Sequence, residues 1–268
     1  MKLDFVKFDP TGNTTILVTT PVPRERHGAV AAALLSRLGG EQVGYVEAPT
    51  LPGVVARLQM MGGEFCGNAT MSLGALLARE RRTSRLEVRL EVSGIEGPVP
   101  CRVEYNAAAG CWIGSVSMPR PERIGEQVLA TDAGPLVVPL VQMPGISHLL
   151  IPASVAPDEA QLRRRLPEWN AALGADALGA LTWDEERSTI DPLVYVPASG
   201  TLVRENGCGS GSAAVGCWLA RRAGRDLRTD VRQPGGTITV DARMQGGVVA
   251  SVTITGRVEL VEEGSTDL

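Results

Sequence analysis

The chain has 268 residues, 44% hydrophobic and 21% charged, a composition that buries a sizeable core and leaves room for one large domain or two small ones. A formal net charge of −4 and an aromatic content of 4% argue against nucleic acid as a partner, since there is no basic excess to neutralise phosphates and little ring surface for bases to stack on. The opening Met1-Lys2-Leu3-Asp4-Phe5 lacks an apolar leader, and no stretch approaches the roughly 18 apolar residues of a membrane span, so a cytoplasmic protein without membrane contact is expected.

In chain order, alternating apolar and polar residues predict strands at 5–8 and 15–18, then a helix at 26–38 with His27 at its exposed start. A helix at 69–79 follows, then strands at 86–92, 99–105 and 112–118. Pro119-Arg-Pro-Glu-Arg-Ile124 reads as a linker. Beyond it come strands at 136–142 and 148–151, the latter opening on His148, and a helix at 158–173 whose Arg163, Arg164 and Arg165 form a solvated face. A strand at 193–196, a helix at 212–223 and strands at 237–242 and 248–254 complete the series. Strands outnumber helices without alternating strictly with them, which predicts an α+β fold rather than a doubly wound parallel sheet.

Cys66-Gly67-Asn68-Ala69-Thr70-Met71-Ser72-Leu73-Gly74-Ala75-Leu76-Leu77-Ala78 and Cys208-Gly209-Ser210-Gly211-Ser212-Ala213-Ala214-Val215-Gly216-Cys217-Trp218-Leu219-Ala220 align without gaps. Cys, Gly, a hydroxyl residue, an aliphatic, Gly, Leu and Ala coincide, and a glycine turn with two strands follows each segment. The expectation is two pseudo-symmetric halves, 1–120 carrying Cys66 and 121–268 carrying Cys208, the last strand being free to pack back on the first half. Each half is a sheet around a central helix, and a pseudo-two-fold axis would bring the helix N-termini to one cleft, the expected active site.

A cysteine just ahead of a helix meets the positive end of the macrodipole and unpaired backbone N–H groups, which favour the thiolate and make it a competent base. Gly67 and Gly209 let backbone N–H groups approach a ligand closely, so the first turns at Gly67, Asn68, Gly209 and Ser210 are suited to an α-carboxylate. Racemisation without a cofactor needs this arrangement: one face of the α-carbon loses a proton while the other gains one, and a thiolate and a thiol exchange roles between directions. The five cysteines, 66, 101, 111, 208 and 217, contain no CxxC pair. They predict free thiols rather than disulfides or zinc, with 101, 111 and 217 as packing residues. Two histidines argue against a metal site.

With Lys7-Phe8-Asp9-Pro10-Thr11-Gly12-Asn13, the two cysteine segments, Gln233-Pro234-Gly235-Gly236 and Thr255-Gly256-Arg257, the chain resembles the diaminopimelate epimerase fold family over nearly its full length. Arg204-Glu205-Asn206-Gly207 departs from that family's longer Glu-Arg-Gly-Ala-Gly-Glu-Thr stretch and lacks the arginine that helps hold a distal carboxylate. Gly145-Ile146-Ser147-His148 replaces its Gly-Asn-Pro-His. A more specific resemblance, to the histidine racemases of opine-type metallophore biosynthesis, is carried by Gly12-Asn13-Thr14-Thr15-Ile16-Leu17-Val18, Glu41-Gln42-Val43-Gly44-Tyr45-Val46-Glu47, Glu64-Phe65-Cys66-Gly67-Asn68-Ala69-Thr70-Met71-Ser72, Pro192-Leu193-Val194-Tyr195-Val196-Pro197 and Glu205-Asn206-Gly207-Cys208-Gly209-Ser210-Gly211.

What the resemblance implies is a homodimer that interconverts L- and D-histidine without cofactor or metal, with Cys66 and Cys208 as the acid/base pair and Asn13 and Glu41 in the substrate pocket. Glu205, beside Cys208, is a further candidate for contacting the substrate ammonium, although a carboxylate there would oppose thiolate formation. The alternatives are a diaminopimelate epimerase, a racemase of another polar amino acid, and a non-catalytic amino-acid-binding protein.

Overall fold

A computed structural model describes all 268 residues. The elements in chain order are β1 (Lys2–Pro10), β2 (Thr15–Val18), α1 (His27–Leu38), β3 (Gln42–Glu47), β4 (Arg57–Met60), α2 (Gly67–Glu80), β5 (Arg85–Val92), β6 (Pro98–Asn106) and β7 (Cys111–Met118). They continue with β8 (Arg123–Thr131), β9 (Gly134–Met143), β10 (Ile146–Pro152), α3 (Glu159–Leu173), β11 (Leu178–Asp184), β12 (Thr189–Val196), β13 (Thr201–Arg204), α4 (Gly209–Ala223), β14 (Leu227–Gln233), β15 (Gly236–Gln245) and β16 (Val248–Asp267). The class is α+β, and no helix is long and apolar enough to cross a membrane. The chain forms two compact units, one of residues 1–117 with 255–268 and one of residues 118–254.

In the first unit the pairing order runs β1-β2-β3-β4-β5-β6-β7-β16, and β16 also pairs with β1, which closes the strands into a ring. The β1–β16 ladder is antiparallel from Lys2↔Asp267 to Pro10↔Val258, with a register shift between Lys7 and Phe8. Helix α2 lies against β1, β2, β5 and β6, and every residue from Gly67 to Ala78 is buried. A helix covered on all sides carries small and apolar residues around its whole circumference, and each fully buried Leu or Met contributes roughly 1.5–3 kcal/mol. Helix α1 packs on β3 through Val30, Ala31 and Leu34, which meet Leu3, Phe5, Ile16, Val43 and Tyr45.

The loop between β3 and β4 is tied down by buried Glu91 of β5, whose carboxylate accepts from Thr50 N (2.6 Å), Thr50 Oγ1 (2.7 Å) and Leu51 N (3.2 Å) and pairs with Arg57. Burial alone would raise the Glu91 pKa. These bonds and the guanidinium outweigh it and bring the value down to about 2.

In the second unit the order is β16-β15-β14-β12-β11-β10-β9-β8, with β13 on β12. Helix α4 lies against β15, β14, β9 and β10, with Gly211–Cys217 and Ala220 buried. Helix α3 packs on β11, β12 and β8, burying Leu162, Leu166 and Trp169 among Leu129, Val138, Leu149, Ile151 and Leu178. Asp158 caps it through a 2.8 Å bond from Gln161 N.

The repeated glycine of the two cysteine segments has one physical reason in both units. A Cβ at Gly74 would lie 2.8 Å from Cys101 Sγ and 2.9 Å from Val103 Cγ1 of β6, and one at Gly216 would lie 2.5 Å from Val240 Cγ1 of β15. Each central helix touches a strand where no side chain fits.

All four predicted helices are present, α2 and α4 beginning earlier than expected because the first turn includes the residues after the cysteines. Strands β3, β4, β8, β11, β13 and β14 were not anticipated, and Arg123 and Ile124, expected in a linker, already belong to β8. His27 is not exposed but 4% accessible: its Nε2 lies 3.0 Å from Val22 O, and its ring stacks on Tyr45 with centroids 3.6 Å apart.

Candidate active site

Cys66 precedes α2 in an extended conformation (φ −131°, ψ 111°) and is its N-cap. Its Sγ accepts from Ala69 N at 3.4 Å, and its carbonyl accepts from Thr70 N (3.0 Å) and Thr70 Oγ1 (2.7 Å). Cys208 caps α4 in the same way, at φ −95° and ψ 103°. Its Sγ accepts from Gly211 N at 3.2 Å, and its carbonyl accepts from Ser212 N (3.1 Å) and Ser212 Oγ (2.8 Å). In each unit a thiol does what Ser or Asp usually does at this position, so sulfur is held at the positive end of the helix against a backbone donor. The hydroxyl at the fourth residue after each cysteine fixes the carbonyl, a role hidden in the Thr70/Ser212 match of the repeat.

The sulfurs differ in exposure. Cys66 is partly exposed, whereas Cys208 is 2% accessible. Burial pushes the Cys208 thiol well above its ordinary pKa and the Glu205 charge pushes the same way; the Ser210 hydrogen bond pulls it back, more strongly than a Glu205 hydrogen bond adds to the rise, and Gly211 N–H pulls back least. The group is therefore held protonated at neutral pH. The segment ahead of it is pinned: Glu205 N donates to Pro192 O (3.0 Å), Gly235 N to Asn206 O (2.8 Å), and Cys208 N to Gln233 Oε1 (2.6 Å). Gln233 Nε2 in turn donates to Ser212 Oγ at 2.8 Å. Gly209 and Ser210 form the first turn of α4 and are half-buried. Ser210 Oγ lies 3.5 Å from Cys208 Sγ and 3.0 Å from Nε2 of fully buried His148.

In the first unit the structure brings Asn13 and Glu41 together. Asn13 Nδ2 donates to Glu41 Oε2 at 2.8 Å, while Gln42 Nε2 donates to Asn13 Oδ1 and, at 2.8 Å, to Thr15 Oγ1. The amide of Asn13 is thereby fixed with its NH2 toward the carboxylate. The turn that presents it has Thr11 and Gly12 at φ 55° and 83° and a bond from Gly12 N to Asp9 Oδ1 of 2.5 Å. Gly67 and Asn68 are buried in the first turn of α2, and Ser72 Oγ donates to Asn68 O at 3.1 Å. Sequence reasoning missed Gln42, Gln233 and the reach of His148. The first two lie inside stretches already quoted for their resemblance, the one signal that could have drawn attention to them.

Cys101 and Cys217 are buried with thiols pushed up to about 12 by desolvation, and Cys111 is buried in β7. No group of three or more His, Cys, Asp and Glu stands close enough to hold a metal ion.

Strands wrapped around a central helix, twice in one chain, form a fold shared with solved amino-acid racemases and epimerases. A hydroxyproline epimerase from Agrobacterium vitis, solved with bound trans-4-OH-L-proline, superposes with a TM-score of 0.74 over 100% of this chain and 93% of that one, at 14% identity. Within that class, the chain belongs to the family described as the histidine racemase CntK N-terminal domain, whose sequence model matches residues 2–266. It is 28% identical to a histidine racemase of Staphylococcus aureus over 98% of this chain and 96% of that protein. It is 29% identical to a histidine racemase of Fusobacterium nucleatum over 98% and 96%.

Proposed function

We propose that this protein interconverts L- and D-histidine by proton transfer at the α-carbon, with Cys66 and Cys208 on opposite faces of the substrate and no cofactor. The observation that carries the reading is the identical capping of α2 and α4 by sulfur. Membership of the histidine racemase family supplies the substrate.

In one direction the thiolate of Cys66 removes the α-proton and becomes a thiol, while the Cys208 thiol delivers its proton to the other face and becomes a thiolate. The reverse direction exchanges the roles. The high pKa of Cys208 in the free protein suits it to be the donor at the start of the first of these. Negative charge that develops on the substrate carboxylate is met by first-turn N–H groups at Gly67, Asn68, Gly209 and Ser210. Asn13 and Glu41, locked together by Gln42, and Glu205 recognise the ammonium and the side chain.

Proton NMR in D2O tests this with L-histidine, L,L-diaminopimelate and other L-amino acids in parallel. The expected result is loss of the histidine Cα–H signal and appearance of D-histidine on a chiral column. Exchange of diaminopimelate alone would replace the substrate assignment. Silence across all of them, with histidine still bound, would make the protein an amino-acid-binding protein instead.

A further inference from the structure

Sulfur at the head of α4 makes only half of a reciprocal cap. In the full arrangement the N-cap side chain accepts from the N–H of the third helical residue, and the side chain of that residue reaches back to accept from the N-cap N–H. Here Cys208 Sγ accepts from Gly211 N at 3.2 Å, but glycine has no side chain with which to reciprocate. A larger residue would be crowded, its Cβ 3.0 Å from both Cys208 Sγ and Leu181 Cδ2. The second acceptor comes instead from a different element. Gln233, the last residue of β14, receives the Cys208 N–H on Oε1 at 2.6 Å.

The same side chain also reaches the other end of the residue. Gln233 Nε2 donates to Ser212 Oγ at 2.8 Å, and that hydroxyl donates to Cys208 O at 2.8 Å. One amide therefore holds Cys208 directly at its N–H and, through fully buried Ser212, at its C=O. The partners fix the direction of the amide: the Cys208 N–H requires the oxygen, which leaves the NH2 for Ser212. The neighbours of Gln233 are anchored as well, Arg232 N donating to Ser188 O and Gly235 N to Asn206 O, each at 2.8 Å. In the first unit the strand that follows the central helix is β5, which ends on Val92, a side chain without donor or acceptor. The repeat does not explain Gln233.

We propose that Gln233 is a positioning residue for Cys208: by bracing both ends of its backbone it fixes the direction in which the sulfur projects, and so the line along which the proton moves to and from the α-carbon. This rests on the reading of Cys208 as one of two proton carriers. Gln233 is uncharged and its two polar atoms are occupied by Cys208 and Ser212, so its contribution is one of placement.

Two variants of the full-length reduced protein test it. Gln233→Met keeps the reach of the side chain and removes both bonds, whereas Gln233→Glu keeps an acceptor for the Cys208 N–H. Hydrogen exchange by mass spectrometry, without substrate, reads overlapping peptides across residues 203–212 against those across 66–78. Gln233→Met is expected to speed labelling of the Cys208 amide by roughly tenfold and to leave the first-unit peptides unchanged. Gln233→Glu is expected to keep wild-type protection there.

The second measurement follows each enantiomer of histidine in D2O, scoring deuterium in the recovered starting enantiomer separately from inversion. In Gln233→Met, kcat for inversion should fall by roughly 10- to 10²-fold in both directions with KM within about twofold. Cys66 is untouched and partly exposed, so its thiol exchanges with solvent. The enantiomer whose proton it removes should still gain deuterium without inverting, while the other loses exchange and inversion together.

Unchanged protection of the Cys208 amide in Gln233→Met, or an equal loss of exchange from both enantiomers, overturns the proposal. If Gln233→Met does not fold, Gln233→Asn, whose amide is one methylene too short to span both partners, is read in its place with the same expectations. Wild-type protein that neither exchanges nor inverts histidine would sink the functional reading and the proposal with it. An active wild type with an unmoved Gln233→Met would sink the proposal alone.

Discussion

Cys66 and Cys208 are held by corresponding bonds at the heads of corresponding helices, yet one sulfur is partly exposed and the other is buried next to Glu205 and Ser210. What the two units share is the backbone frame: an extended cap, a sulfur facing a third-residue N–H, a hydroxyl on the cap carbonyl and a glycine where the helix meets a strand. What they do not share is exposure: Cys66 is partly exposed, whereas Cys208 is buried, and burial with the Glu205 charge raises its pKa. The frame is repeated; the accessibility of the sulfur is not.

The largest test of this equivalence is replacement of either thiol. Cys66→Ser and Cys208→Ser keep an oxygen acceptor at the cap, so both should fold, and each is expected to lower kcat by roughly 10²- to 10⁴-fold in both directions, measured by chiral chromatography. A variant that kept wild-type turnover would end the two-base reading. The difference between the sulfurs shows next in modification. Iodoacetamide, followed by peptide mass spectrometry of the native protein, should label Cys66 well before Cys208, because the latter is 2% accessible and held protonated. Preferential labelling of Cys208 would reverse the assignment of environments.

The shared frame is sharpened by the repeated glycines. Gly216→Ala should lower stability by about 1–3 kcal/mol in chemical denaturation, and Gly74→Ala by less. The new Cβ meets Val240 Cγ1 at 2.5 Å in the first case, and Cys101 Sγ at 2.8 Å and Val103 Cγ1 at 2.9 Å in the second.

The smallest effect separates the units by pH. The folded His148 titrates near 3 rather than 6.5, so the stability it gives by remaining neutral is complete above about 6.5 and is lost as pH falls toward 3. Glu91, lowered from 4.5 to about 2, gives stability that is complete above 4.5 and lost as pH falls toward 2. Hydrogen exchange on acidification should therefore open the second unit before the first, and His148→Gln should remove the earlier step. Opening of the first unit ahead of the second would show that other groups govern the acid response.

The helices were legible because burial on all sides, or on one stripe, leaves a pattern over many residues. The cysteine repeat was legible because its residues are contiguous. Strands were harder to see. β14, Leu-Arg-Thr-Asp-Val-Arg-Gln, fully buries one residue, Val231, so its charges resemble a loop. β4 and β13 have four residues each, and β8 begins inside a segment whose prolines and charges read as a linker. The residues around the site that escaped notice share a different cause: their partners are distant in the chain. His148 meets Ser210 across 62 positions and Gln233 meets Cys208 across 25, distances at which local pattern carries no information. His27 looked exposed because the ring that covers it, Tyr45, belongs to a strand that was itself unseen.

β16 begins in the second unit and ends in the first, where its Val258–Asp267 part pairs with the whole of β1. During synthesis, then, the second unit has all its strands before the first has its last one. The N-terminal strand waits with an unpaired edge until residues 255–268 emerge, a long-range closure that is slow to form and exposed to mispairing. Translation order and completion order are inverted in this protein, and a chain truncated after residue 254 would contain every residue of the second unit but leave the first open.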